Sequence, residues 1–198
     1  MRIICTDEIN LFVAAKLREC FNIPGAKLEE TVLFRNKLLM KEQLQKASIR
    51  VPKFISLDSI ANENLEIFYS NLTNKISRNF IIKPKEGASS LQTMKITNLT
   101  EFINCINNIN PSEYKAFEAE EFIEGILYHC DGIVEKGNIV FSCVSAYLNP
   151  CLEFTEGKIL GSYPLHEDDI IEEKLKYFNE RVLNVLGQTT GVFHGEYF

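Results

Sequence analysis

The pattern of apolar and polar positions gives the chain two textures. Up to about Asn110, short β-favouring runs alternate with stretches of helical periodicity; from Ala116 onward, strands separated by turn residues dominate. Arg2–Cys5 is a short β-prone run, and Thr6-Asp7 offers a helix cap. Apolar residues at 9, 12, 13, 17 and 21 then recur at helical spacing until Asn22-Ile23-Pro24-Gly25 stops the helix. Residues 1–28 thus read as a β-α unit, the tail of a larger α/β domain. A second helix is predicted from Glu29 or Thr31 to about Ala47, with Leu33, Leu38, Met40 or Lys41, and Leu44 on its buried side. Val51–Ile55 follows as an extended segment, because the residue before Pro52 is pushed out of helical space.

Leu57-Asp58-Ser59 can cap a helix running through Ile60, Leu65, Phe68 and Leu72 to about Asn79. The apolar run Phe80-Ile81-Ile82 then ends in Lys83-Pro84 and the small-residue loop Gly87-Ala88-Ser89-Ser90, with Thr93–Ile96 as the return strand of a hairpin. Such a strand end delivers an ammonium beside a loop whose N–H groups and hydroxyls suit an anion such as phosphate. Taken alone, the stretch is equally a surface hairpin with a solvated lysine. Thr97 or Thr100 caps a helix over Glu101–Ile106, closed by Asn110-Pro111-Ser112. Strands are predicted at Phe117–Ile123, Leu127–Val134 and Ile139–Ser145, the last two joined by a tight turn at Lys136-Gly137-Asn138. A helix from Asp168 to Gly187 and a strand over Val192–Phe198 complete an α+β chain.

Composition narrows the function classes. A 45% apolar content supports a real core, and the absence of any apolar run near 20 residues argues against a membrane span. The net charge of −6 argues against a non-specific nucleic-acid binder while leaving room for a local basic cleft. None of the six cysteines forms a CxxC pair, so free thiols in a reducing cytoplasm are expected.

Five pieces in order carry a family resemblance: Phe34-Arg35-Asn36-Lys37 with Met40-Lys41; Ser48-Ile49-Arg50-Val51-Pro52; Ile81-Ile82-Lys83-Pro84 with its loop; Glu120-Glu121-Phe122-Ile123-Glu124-Gly125; and Phe193-His194-Gly195-Glu196. Together they resemble the nucleotide-binding part of the ATP-grasp family, which includes biotin carboxylase, D-alanine:D-alanine ligase and amino-acid ligases. The resemblance implies an ATP-grasp fold, two α+β subdomains (residues 29–115 and 116–198) clasping a nucleotide, preceded by a remnant of the pre-ATP-grasp domain. It implies that Lys37 and Lys83 grip the phosphates of ATP, that Ser89 and Ser90 act as loop donors, and that Glu120, Glu121 and Ile123 form the hinge reading adenine. Glu124 and His129 are possible ribose or substrate contacts, an ordinary half-buried histidine being the other reading of His129, and Glu196 would hold Mg2+. The reaction implied is carboxylate-amine ligation of small molecules through an acyl-phosphate, with no nucleic-acid or membrane partner.

The sequence departs from the family pattern in three ways. Gly87 is the only glycine of the loop, the acidic ribose contact of some members falls near Leu127, and the second acidic metal ligand would lie on a strand beyond Phe198. The expectation is therefore a chain truncated at both ends, with an exposed sheet edge near Val192–Phe198 that invites a homodimer. A non-catalytic nucleotide-binding or scaffold protein is the alternative function.

Overall fold

Alternation along Phe80–Pro84 sends Phe80 and Ile82, both fully buried, to one face and leaves Ile81 and Lys83 on the other. That strand (β2) belongs to a four-stranded antiparallel sheet with Phe54–Ser56 (β1), Met94–Ile96 (β3) and Phe117–Glu121 (β4), in the order β1-β4-β2-β3. A second four-stranded sheet contains Tyr128–Glu135 (β5), Asn138–Tyr147 (β6), Ser162–Pro164 (β7) and Gly191–Tyr197 (β8), in the order β7-β6-β5-β8. The α-helices are Leu11–Cys20 (α1), Leu28–Arg35 (α2), Lys37–Lys46 (α3), Leu65–Lys75 (α4), Leu99–Asn107 (α5) and Ile170–Leu186 (α6). The computed structural model describes the backbone of residues 1–198 and all side chains outside residues 155–156. Two units form: one of Asn36–Leu38 and Arg50–Ile123, the other of Met1–Arg35, Leu39–Ile49 and Glu124–Phe198.

In the β1–β4 unit, Phe80, Ile82, Ile96 and Ala119 meet Phe68 and Leu72 of α4 and Phe102 and Ile106 of α5. Phe102 is the hub, its ring 6.4 Å from that of Phe68, 5.5 Å from Tyr69 and 6.2 Å from Phe80. Aromatic pairs of this kind contribute about 0.5–1.5 kcal/mol each beyond area burial. The predicted hairpin is present in register, with Phe80 opposite Ile96 and Ile82 opposite Met94. Asn98, not either threonine, caps α5: its Oδ1 accepts from Glu101 N–H at 2.9 Å while Glu101 Oε2 accepts from Thr97 N–H at 2.8 Å. The helix expected from Ser59 is divided, because Asn64 Oδ1 accepts from the N–H groups of Glu66 and Ile67 and starts α4 only at Leu65. A short 3-10 turn, Ile60–Asn62, precedes it.

In the β5–β8 unit, Cys130, Val134, Val144 and Phe193 on one sheet face pack with Leu183 of α6. Helix α6 is capped by Asp169, whose carboxylate accepts from Ile171 N–H, and ends at left-handed Gly187. The β5–β6 turn places Lys136 and Gly137 at φ 53° and 80°, the left-handed pair that a tight hairpin requires. Gly132 has a different role: a Cβ there would collide with the Phe193 ring and the Phe141 carbonyl, so only glycine lets β8 lie against β5 at this point.

Several expectations are corrected. Arg2–Cys5 is not a strand; it has no strand partner among the described residues, and Arg18 Nη2 holds it by donating to the Ile3 carbonyl at 2.8 Å. The single helix expected to about Ala47 is broken at Asn36, where Asn36 Nδ2 donates to Glu86 at 3.0 Å and Lys37 N–H donates to the Lys85 carbonyl at 2.9 Å. Short β7 was not foreseen; all three of its residues are exposed, so it carries no burial pattern.

Candidate functional site

The β2 end and its loop gather the expected phosphate-binding residues within one unit. Antiparallel pairing of β2 with β4 puts Lys83 opposite Glu118, and its Nζ reaches diagonally to Glu120 Oε1 at 2.6 Å. Both side chains are largely buried, 19% and 12% exposed, so this is a charge-assisted contact with little solvent screening. Lys37, at the first turn of α3, points its Nζ at the Gly87 carbonyl, 2.6 Å away. Lys37 and the loop after β2 therefore lie together, with Lys83 on the strand that leads into it.

The loop itself is unusual for its residue types. Ser89, Ser90 and Gln92 adopt φ values of 55°, 55° and 56°, the left-handed region where glycine is at ease. The Leu91 N–H donates to Ala88 O and Thr93 N–H to Ser90 O, closing successive turns. Next to it, Lys85 is a cation the sequence reading passed over. It is 8% exposed, and its Nζ is saturated by Ser56 Oγ at 2.7 Å, Asp58 Oδ1 at 3.0 Å and the Lys115 carbonyl at 2.7 Å. Three donors meet three acceptors, so Lys85 ties β2 to the β1 end instead of facing a ligand. The Ser56 hydroxyl, ahead of Lys85 itself, holds the Asp58 carboxyl below its ordinary value.

The expected hinge residues continue β4. Glu121 is fixed by reciprocal contacts with Lys53, its N–H donating to the Lys53 carbonyl at 2.8 Å and its Oε2 accepting from Lys53 N–H at 3.1 Å. Phe122 lies under Lys95, whose Nζ is 3.7 Å from the ring centroid, and Ile123 is half-buried.

Glu124, His129 and Glu196 belong to the other unit, where Glu124 is exposed. Alternation along β5 and β8 places His129 and Asp131 on the sheet face opposite the core, with Glu196 across from His129 and His194 across from Asp131. Glu196 Oε1 accepts from the Tyr147 hydroxyl at 3.0 Å, lies 3.8 Å from Cys151 Sγ and 3.8 Å from His194 Nε2. The His194 imidazole keeps the Glu196 carboxyl below its ordinary value, and Glu196 together with Asp131 raises His194 to about 9. Burial raises the Tyr147 hydroxyl and pushes the Cys151 thiol up to about 11. The lowering favours the ionised carboxylate at Glu196, a hard oxygen donor of the kind that Mg2+ prefers. Sequence reasoning missed Asp131, His194, Tyr147 and Cys151; the signal for the first two was the His-x-acid spacing in each strand, which puts both members of a pair on one face.

No family model matches the chain. It is 26% identical over 201 aligned positions to the L-arginine-specific L-amino acid ligase of Bacillus subtilis, an alignment covering 99% of this chain and 47% of that protein. Among solved structures, the L-amino acid ligase from Bacillus licheniformis superposes with a TM-score of 0.77 at 19% identity, covering 98% of this chain and 44% of that one. The D-alanine-D-alanine ligase from Coxiella burnetii gives 0.72 at 17% identity, over 94% and 50% of the respective chains. The ATP complex of carboxyaminoimidazole ribonucleotide synthase from Aspergillus clavatus gives 0.72 at 15% identity, over 92% and 46%. The chain therefore spans about half the length of the curated relative it matches.

Proposed function

We propose that the chain, which shares the ATP-grasp fold and a sequence likeness with amino-acid ligases, binds ATP with Mg2+ and serves the ATP-dependent ligation of a small carboxylate, of the amino-acid class, to an amine. The observation that carries this reading is the pair of lysines at the β2 loop. Lys37 Nζ is 2.6 Å from the Gly87 carbonyl, and Lys83, at the strand end, holds Glu120 at 2.6 Å. Each ammonium rests on a protein oxygen that a phosphate oxygen can replace.

In the proposed reaction the substrate carboxylate attacks the γ-phosphorus of ATP, forming an acyl-phosphate and releasing ADP. The amine then attacks the acyl carbon, the amide bond forms, and inorganic phosphate leaves with the bonding electrons. This chain's residues act by position and charge: Lys37 and Lys83 offset phosphate charge, and the N–H groups of the 87–90 loop donate to phosphate oxygens. Glu120 and Glu121 present the β4 end to adenine, Ile123 gives it an apolar wall, and Glu124 and His129 contact ribose or substrate. Glu196 would hold the magnesium ion, which when bound neutralises the terminal phosphates.

Two further points belong to the same reading. Cys105 and Cys130 are buried thiols, as suits a reducing cytoplasm. The outer edge of β8 has no strand partner among the described residues, and Val192 is 78% exposed, which supports pairing with a second copy. The test of function is ADP release from Mg-ATP with and without an L-amino acid and an amine acceptor. Release that requires both supports ligation; binding of ATP with no release under any pairing supports the non-catalytic alternative.

A further inference from the structure

The outward face of the β7-β6-β5-β8 sheet carries a cluster in which only His129 has a place in the ligase reading, while Asp131 and His194 have none. Asp131 bridges two imidazoles, its Oδ2 2.5 Å from His129 Nδ1 and its Oδ1 2.7 Å from His194 Nδ1. One donor atom from each of the three residues falls within 4.8 Å of the others, and no comparable group of histidine, cysteine and carboxylate residues occurs among the described residues. His129 is only 9% exposed, yet its Nε2 has no hydrogen-bond partner. Leaving a buried ring nitrogen unpaired is costly, and apart from Asp131 no hydrogen bond fixes which nitrogen the ring presents.

The ring positions fit a shared ion. The His129 and His194 centroids are 5.3 Å apart. With metal–nitrogen bonds of about 2.0–2.1 Å, two imidazoles on one tetrahedral ion hold their centroids roughly 5 Å apart. The flanking strands also fix these positions: Asp131 and His194 are direct cross-strand partners, and His129 is two residues from Asp131 on the same face. Two imidazoles and one carboxylate form a borderline donor set, suited to zinc, cobalt or iron(II) more than to magnesium, which demands oxygen.

We propose that His129, Asp131 and His194 form a binding site for a divalent transition-metal ion of the zinc class, each residue supplying one ligand atom. Three protein ligands leave at least one coordination position open on the face that carries Glu196. The site goes beyond the ligase reading and needs no nucleotide.

The test is a titration of the 198-residue protein with Co2+, followed by visible absorption, and with Zn2+, followed by calorimetry, both without ATP. The expected result is one ion per chain, not displaced by a large excess of Mg2+, with affinity falling ~10-fold or more in Asp131→Asn and His194→Ala. Both of those side chains are about half exposed, 44% and 52%, so the variants are expected to fold. No binding, displacement by Mg2+, or unchanged affinity in both variants overturns the proposal. Because no nucleotide is present, this result is independent of whether Lys83 serves ATP.

Discussion

Lys83 and Glu120 hold each other at 2.6 Å on the same sheet face, one at the end of β2 and the other near the end of β4. Neither side chain is more than a fifth exposed, so the pair is more strongly coupled than a surface ion pair. Both residues are also proposed nucleotide contacts, one for phosphate and one for adenine. The pair therefore links the two ends of the proposed ATP site before any ligand arrives.

Removing one partner should cost more than removing both charges. Lys83→Met leaves a carboxylate in a largely buried position and is expected to destabilise the β1–β4 unit by about 2–4 kcal/mol. The double variant with Glu120→Gln is expected to recover at least half of that loss. Urea denaturation of the singles and the double, read as a double-mutant cycle, measures the coupling. A coupling near zero would show that the contact is not populated in solution.

Lys85 should matter for stability and not for ATP. Its three acceptors, Ser56 Oγ, Asp58 and the Lys115 carbonyl, lose their donor in Lys85→Met, an expected cost of about 2–3 kcal/mol. ATP affinity is expected to stay within about twofold of wild type, checked by calorimetry on protein shown to be folded by circular dichroism.

The same cluster gives a pH dependence whose sign follows from Asp58. Its folded pKa lies below its unfolded value, so its stabilising contribution is present above the ordinary aspartate range, near pH 4, and is lost as pH falls through the folded value. Asp58 is 61% exposed, so the contribution is small after solvent screening. Thermal melts between pH 6 and about pH 3 are expected to fall slightly more steeply for wild type than for Asp58→Asn. A variant whose melting temperature falls as steeply as wild type would remove Asp58 from the account.

Gly132 should be intolerant of any side chain. A Cβ at this position meets the Phe193 ring and the Phe141 carbonyl, so Gly132→Ala is expected to destabilise the β5–β8 unit by about 1–3 kcal/mol. Combining it with Phe193→Leu, which removes the ring, should recover part of the loss. Equal stability of Gly132→Ala and wild type would show that β8 lies farther from β5.

Local signals were the ones legible in the sequence. The strand predicted at Leu127–Val134, the Lys136-Gly137 turn and the hairpin from Phe80 to Ile96 are encoded within a few residues each, and all are present, the β5–β6 ladder with an irregularity between Ile133 and Val134. The break at Asn36 was not legible, because helix-forming residues lie on both sides and the bond that fixes the break goes to Glu86, 50 residues away. Distance in sequence also hid the Asp131–His194 contact, which spans 63 residues and depends on the β5–β8 register. Lys83 and Lys85 show the limit most clearly. They lie two residues apart at the end of β2 and just beyond it, but only the position of Ser56, Asp58 and Lys115 makes the second one a buried structural cation.

The most direct measurement of the central claim is calorimetric titration of ATP into the 198-residue protein with and without Mg2+, repeated with Lys83→Ala. Mg2+ is expected to strengthen binding and Lys83→Ala to weaken it ~10-fold or more, the loss of a charge-assisted hydrogen bond of about 1.5–3 kcal/mol. Binding that ignores both Mg2+ and the lysine, or no binding at all, would contradict that claim.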